Sequence, residues 1–280
     1  MKSLPLLRRR GVERRPRAAI AVTVLFFAVL YLPIAVVTLF SFNSKKSLTS
    51  FGTPSLRWYR AFWHDPDLTG SVLTSLQVSA VAMVGSVLLG AALALGLVRA
   101  RSRFGSLANV VMMIPLVTPE IVTGVGSLLL FRGLRLTPSM TTLLLAETTF
   151  SISYVTVILR SRVAALNPEL EEAAMDLGAT RWQALRLVTL PALVPALLAS
   201  AMLVFALVFD DFVLAYFTSG VTPQPISVRI YSEIRFGIQP SINAVGTLML
   251  VGSITLIALA LAVPRLFGRK GGGIDMLSGG

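Results

Sequence analysis

An all-α integral membrane protein with six transmembrane helices and both termini in the cytoplasm is the fold class this sequence predicts. Three observations predict it. Hydrophobic residues make up 55% of the 280 residues, and the mean hydropathy is +0.78. The apolar residues gather into six long runs nearly free of charge, instead of recurring at the 3.6- or 2-residue period of amphipathic elements. The cations sit at the ends of those runs and are unequal on alternate connections, with 17 Lys and Arg on one side and 8 on the other. The richer side is expected to face the cytoplasm.

Each element follows from the same reading. Segment 1–17 is basic, carrying Lys2, Arg8, Arg9, Arg10, Arg14, Arg15 and Arg17. The apolar run after it is too long for a signal-peptide core and has no small-residue cleavage site, so an uncleaved first span over 18–42 is expected. A second span covers 71–98. The third, 104–131, holds one acidic residue, Glu120; the fourth, 136–159, also holds one, Glu147. The fifth covers 187–209 and the sixth 244–263. Each meets the roughly 20 residues a helix needs to cross the hydrocarbon core. Helices are expected because lipid offers no partner to a free backbone N–H or C=O. The transmembrane domain runs over 18–267 and includes a cytoplasmic loop, 160–190; a loose glycine-rich tail, 268–280, follows it.

Several functions are excluded. The formal charge of +12 suggests nucleic-acid binding, but the cations flank apolar runs and do not share a face with aromatics. With no cysteine in the chain, thiol catalysis and thiolate metal sites are ruled out. His64 is a lone imidazole in a polar connection, and one imidazole does not make a zinc site. No G-x-x-x-x-G-K-[ST] phosphate loop occurs, so ATP hydrolysis by this chain is not expected.

The loop 167–191, NPELEEAAMDLGATRWQALRLVTLP, is the most informative stretch. Asn167 suits an N-cap and Pro168 the first helical turn, while Glu169 and Glu171 favour the positive end of the helix dipole. Leu170, Ala173, Ala174 and Leu177 form an apolar stripe. Gly178 suits a left-handed stop, and Thr180 with Gln183 reads as a capping box opening a second helix. Glu169, Glu172 and Asp176 share a second face. Glu172 and Asp176, at i,i+4 spacing, repel by roughly 0.2–0.5 kcal/mol. A basic partner surface would offset that cost, although a merely solvated polar face is the plainer alternative.

Glu172-Ala173-Ala174, Gly178 and Val188-Thr189-Leu190-Pro191 resemble the "EAA" coupling loop of binding-protein-dependent ABC importer permeases. The resemblance implies a type I importer permease fold in the bacterial cytoplasmic (inner) membrane. It also implies an ATPase-docking helix built from Glu169, Glu172, Ala173, Ala174, Asp176, Gly178, Leu190 and Pro191. The implied partners are two ATPase subunits holding ATP and Mg, an extracytoplasmic solute-binding protein and a second, related but different permease. No cofactor is expected on this chain, and no nucleic acid.

Further stretches are similar to the second permease of spermidine/putrescine importers: Phe42-Asn43-Ser44, Leu56-Arg57-Trp58-Tyr59, Pro119 to Gly124, Phe209-Asp210-Asp211, Phe217 to Gly220, and Ile230-Tyr231-Ser232. The implied substrate is a small organic cation, a polyamine, on a pathway through Glu120, Glu147, Asp210, Asp211 and Tyr231. The pattern departs from that family at Glu147, where those permeases tend to carry histidine. Plainer readings stay open at this point: Asp210 and Asp211 as residues of the outer membrane boundary, Glu147 paired with Arg160 or a partner chain or staying protonated, and Glu120 satisfying backbone freed by Pro115 and Pro119. A proton-coupled carrier using Glu120 and Glu147 is the main rival from another class.

Overall fold

The computed structural model describes residues 17–47, 49–99, 103–236 and 240–268. The basic segment 1–16 and the tail after Gly268 lie outside the described residues. Helix dominates, and the described residues contain no β-strand; one isolated bridge joins Asn43 and Pro54. The helices are α1 (Arg17–Ser41), α2 (Arg57–Trp63), α3 (Pro66–Arg99), α4 (Arg103–Val117), α5 (Glu120–Gly133), α6 (Met140–Ala164) and α7 (Glu169–Asp176). They continue with α8 (Arg181–Ala184), α9 (Leu190–Asp210), α10 (Val213–Thr218), α11 (Ile226–Phe236) and α12 (Pro240–Gly268). Four described helical stretches are long and apolar enough to cross a membrane, and a fifth is added if α4 and α5 count as one broken span.

The core is the meeting of α3, α6 and α9, filled by Val78, Ala82, Ala94, Leu143, Val155, Leu159, Val204 and Val208. In lipid the hydrophobic effect gives helices no reason to associate, so close packing and interhelical hydrogen bonds must hold them. The facing surfaces fit that demand. Ser75, Ser79 and Ser86 on α3, Ser151 and Thr156 on α6, and Ser200 on α9 are all buried. Ser79 and Thr156 return their hydroxyls to their own helix, to Ser75 O and Ile152 O at 2.7 Å. Ser86 Oγ instead crosses to donate to Thr148 O at 3.1 Å. At Gly90 α3 packs closely on α6, because a Cβ there would lie 2.7 Å from the Val155 side chain. By contrast, α1 is exposed along nearly all of its length and leans on α12, where Val37 meets Gly246.

The third expected span is not one rod. α4 and α5 are bent by 111° at the break between them. Pro119 lacks the N–H that would continue the ladder and disfavours helical geometry at Thr118. The freed groups find local partners: Thr118 Oγ1 donates to Ile114 O at 2.7 Å, and Pro119 O accepts from Val122 N and Thr123 N. The fifth span is also irregular. A π-helical turn, Leu185–Thr189, separates α8 from α9. Pro191 explains it, since its ring collides with the carbonyl of Leu187, four residues back and inside the turn, and removes one helical donor.

Between α1 and α2 a single side chain organises the connection. Asn43 donates to Ser47 O and Ser50 O and accepts from Gly52 N, at 2.8–3.0 Å. Its own carbonyl accepts from Trp58 Nε1 at 2.6 Å, and Arg57 Nη1 donates to Ser44 O at 2.9 Å. The two stretches 42–44 and 56–59, separate in the chain, are one hydrogen-bonded unit.

Candidate functional site

Two places combine exposed or charged side chains with unusual backbone: the loop after α6, and a group of carboxyls at the helix breaks.

The loop folds as its cap residues dictate. Asn167 Oδ1 accepts from Glu169 N at 3.1 Å and opens α7. Gly178 has φ +93, the left-handed stop that a side chain would resist. Thr180 and Gln183 close a reciprocal capping box, with Thr180 N donating to Gln183 Oε1 at 2.7 Å. No residue of α7 is buried. Glu169, Glu172, Ala173 and Asp176 are exposed and Ala174 half-buried, so the acidic face is open to a partner. The apolar stripe is open as well: Leu170 is 56% and Leu177 91% exposed, and Trp182 on α8 is 65% exposed. Sequence reasoning gave Leu177 no partner-facing role and did not single out Trp182. The signal was there in large apolar residues beside a glycine turn in a polar loop. Leu190 and Pro191 do not reach this surface in the same way; they begin α9 directly after the π-helical turn.

Glu171 behaves differently from its neighbours. It turns inward, where its Oε1 accepts from Arg99 Nη2 at the end of α3 at 2.5 Å and from the Thr189 hydroxyl.

The second place gathers three of the five pathway residues. Glu147 on α6 is 1% exposed, and its carboxyl faces that of Asp211 within hydrogen-bonding reach. Glu120, the first residue of α5, lies within electrostatic range of both. The three carboxyls grade inward, with Glu120 exposed, Asp211 half-buried and Glu147 enclosed. Both helix breaks point here: Glu120 follows the α4–α5 bend and Asp211 separates α9 from α10.

This geometry bears on two of the plainer readings. α10 continues past Asp211 to Thr218, whose carbonyl accepts from Thr142 Oγ1 at 2.8 Å. Glu147, opposite Asp211, lies seven residues inside the start of α6, about 10 Å at helical rise. Pairing of Glu147 with Arg160 is excluded by the same arithmetic, since thirteen residues of one helix separate them by about 20 Å. Glu120 makes none of the bonds that repair the α4–α5 break. Those fall to Thr118 and the Pro119 carbonyl. Asp211 does have a structural task as well, its Oδ1 accepting from Leu214 N at 3.2 Å to open α10.

Asp210 is not brought into the group; it turns toward Ser253 on α12. Tyr231 stands beside it, not in it. Its ring lies 4.7 Å from that of Phe212 and 5.7 Å from that of Tyr216, with the Arg235 guanidinium 5.9 Å away. Ser227 ties α11 to the break by donating to Asp211 O at 2.6 Å. Phe212 and Tyr216 had no signal in the sequence beyond being aromatic next to two aspartates.

Comparison with known proteins follows the same lines. Residues 86–269 match the family described as binding-protein-dependent transport system inner membrane component. The chain is 38% identical over 249 residues to the putrescine transport system permease protein PotI of Escherichia coli strain K12, covering 85% of this chain and 88% of that one. It is 32% identical over 239 residues to the spermidine/putrescine transport system permease protein PotC of Haemophilus influenzae, covering 85% and 93%. Its fold is similar to a chain of the crystal structure of a bacterial alginate ABC transporter in complex with an alginate pentasaccharide-bound periplasmic protein. That similarity has a TM-score of 0.73 at 16% identity, covering 90% of this chain and 94% of that one.

Proposed function

Because the chain belongs to the binding-protein-dependent transport system inner membrane components, we propose that it is a permease subunit that moves a small organic polycation, putrescine or spermidine, into the cytoplasm. The observation that carries the substrate class is the convergence of Glu120, Glu147 and Asp211 at two helix breaks. Carboxyls inside a membrane protein are costly and normally face a pathway. Three of them, graded from exposed to enclosed and flanked by Phe212, Tyr216 and Tyr231, offer what an ammonium chain binds: charge and aromatic faces. The relatives named for putrescine and spermidine agree with that reading.

The arrangement supporting it has six spans, the broken α4–α5 pair counting as one and α12 as the last, with both termini in the cytoplasm. The end of α3 and the start of α9 meet at Glu171, so α7 and α8 belong to the face that carries most of the Lys and Arg. One of two ATPase subunits docks there on Glu169, Glu172, Asp176, Leu177 and Trp182, and the pair supplies ATP and Mg, for which this chain has no phosphate loop. A related permease completes the pathway, and an extracytoplasmic receptor delivers the solute to the outer side. ATP binding closes the ATPase pair and moves α7, which opens the spans outward. Hydrolysis returns them inward.

The test is uptake of labelled putrescine by vesicles holding the full complex. Uptake is expected to require internal ATP and external receptor and to survive collapse of the pH gradient. Uptake that follows the pH gradient without ATP would replace the importer with a proton-coupled carrier.

A further inference from the structure

The residue before the Glu172-Ala173-Ala174 stretch has a role that neither the motif nor the docking surface accounts for. α7 has no buried residue, so apolar packing does little to fix it to the spans. Among the described residues its ion pair with the membrane helices is Glu171–Arg99 at 2.5 Å, and the same Glu171 oxygen accepts from Thr189. Charge-assisted hydrogen bonds of this kind are about twice as strong as neutral ones. They connect three elements at one atom: the exposed helix, the end of α3, and the π-helical turn that begins α9. Under α7 lies a cavity of about 300 Å³ bordered by Val98, Val163, Leu170 and Val188. α9 then runs 21 residues from this point to Asp210, next to Asp211, a lever of about 30 Å at helical rise.

We propose that Glu171 is the positioning residue that passes movement of α7 to α3 and α9, while its neighbour Glu172 meets the partner. This rests on the importer reading. A push on α7 reaches Thr189 and Arg99 through Glu171, and α9 carries it to the Asp211 break. The π-helical turn suits the task, because such turns hold the helix in a locally unfavourable register.

The experiment uses the complete complex in vesicles and measures putrescine moved per ATP hydrolysed, together with retention of the ATPase on purification. Glu171→Ala and Thr189→Val are expected to keep the ATPase bound and lower putrescine moved per ATP by about tenfold, the worth of one charge-assisted hydrogen bond. Arg99→Glu alone should do the same, and Arg99→Glu combined with Glu171→Arg should recover most of the loss. Three results overturn the proposal: unchanged coupling in Glu171→Ala; a reciprocal pair no better than its single variants in an intact complex; or release of the ATPase by Glu171→Ala that the pair does not reverse. Lack of ATP-driven uptake by the unsubstituted complex would be a separate result, against the importer reading itself.

Discussion

Glu147→Leu is expected to abolish putrescine uptake while leaving the folded chain at least as stable as before. Glu147 is enclosed at 1% exposure and faces another carboxyl, an arrangement whose two charges repel until a proton is shared or a cation arrives. Replacing a buried charged group by an apolar one of similar volume is often neutral or stabilising. Removing one partner of a buried charge contact with a ligand costs about 2–5 kcal/mol, or roughly 30- to 4,000-fold in binding. The two effects point in opposite directions, which separates function from packing. Uptake by vesicles and thermal unfolding in detergent measure them. Asp210→Asn should change uptake little, since Asp210 turns toward Ser253 and away from the group. Equal losses for Glu147→Leu and Asp210→Asn would count against the pathway drawn here.

Glu172→Ala and Leu177→Ala are expected to cut receptor-stimulated ATP hydrolysis about tenfold or more, the scale of a single interface anchor. Insertion and assembly should persist, because both side chains are exposed and neither supports the α3–α6–α9 core. The pair differ in cause. Glu172 supplies charge to a basic surface and should lose less at high salt, where the native contact is already screened. Leu177, 91% exposed in the free chain, buries apolar area on docking, and its effect should not depend on salt. Hydrolysis measured at two ionic strengths checks both. Full receptor stimulation in either variant contradicts the docking surface.

The sequence carried the long apolar elements clearly, because an 18-residue uncharged run has few other structures open to it. The loop around Gly178 was also legible, since Asn167, Gly178, Thr180 and Gln183 act through bonds no more than three residues away in the chain. What depended on distant contacts was hidden. Pro119 announced a break but not its 111° angle, which is set by how α5 packs against α10. Asp210 and Asp211 read as one acidic pair, yet successive residues at a helix end point about 100° apart, and only Asp211 meets Glu147. Glu171 looked like one more favourable charge in the first turn of α7, and nothing local distinguishes it from Glu169. Its inward turn is decided by Arg99, more than seventy residues earlier in the chain. Tyr231 lies near the carboxyl group, though its partners Phe212 and Tyr216 emerge only when α11 folds back over the α9–α10 break.

The chain has no cysteine, so a single Leu177→Cys variant carries one reporter thiol on the exposed tip beside Gly178. Two samples test the central claim most directly: membranes stripped of the ATPase, treated from either side with a membrane-impermeant thiol reagent, and the assembled complex, treated with a short thiol-reactive cross-linker. Labelling from the cytoplasmic side alone, and cross-linking to the ATPase chain, is the result expected of a helix that couples hydrolysis to the spans. Labelling from the outer side, or a thiol that reacts with no ATPase in the assembled complex, would contradict it.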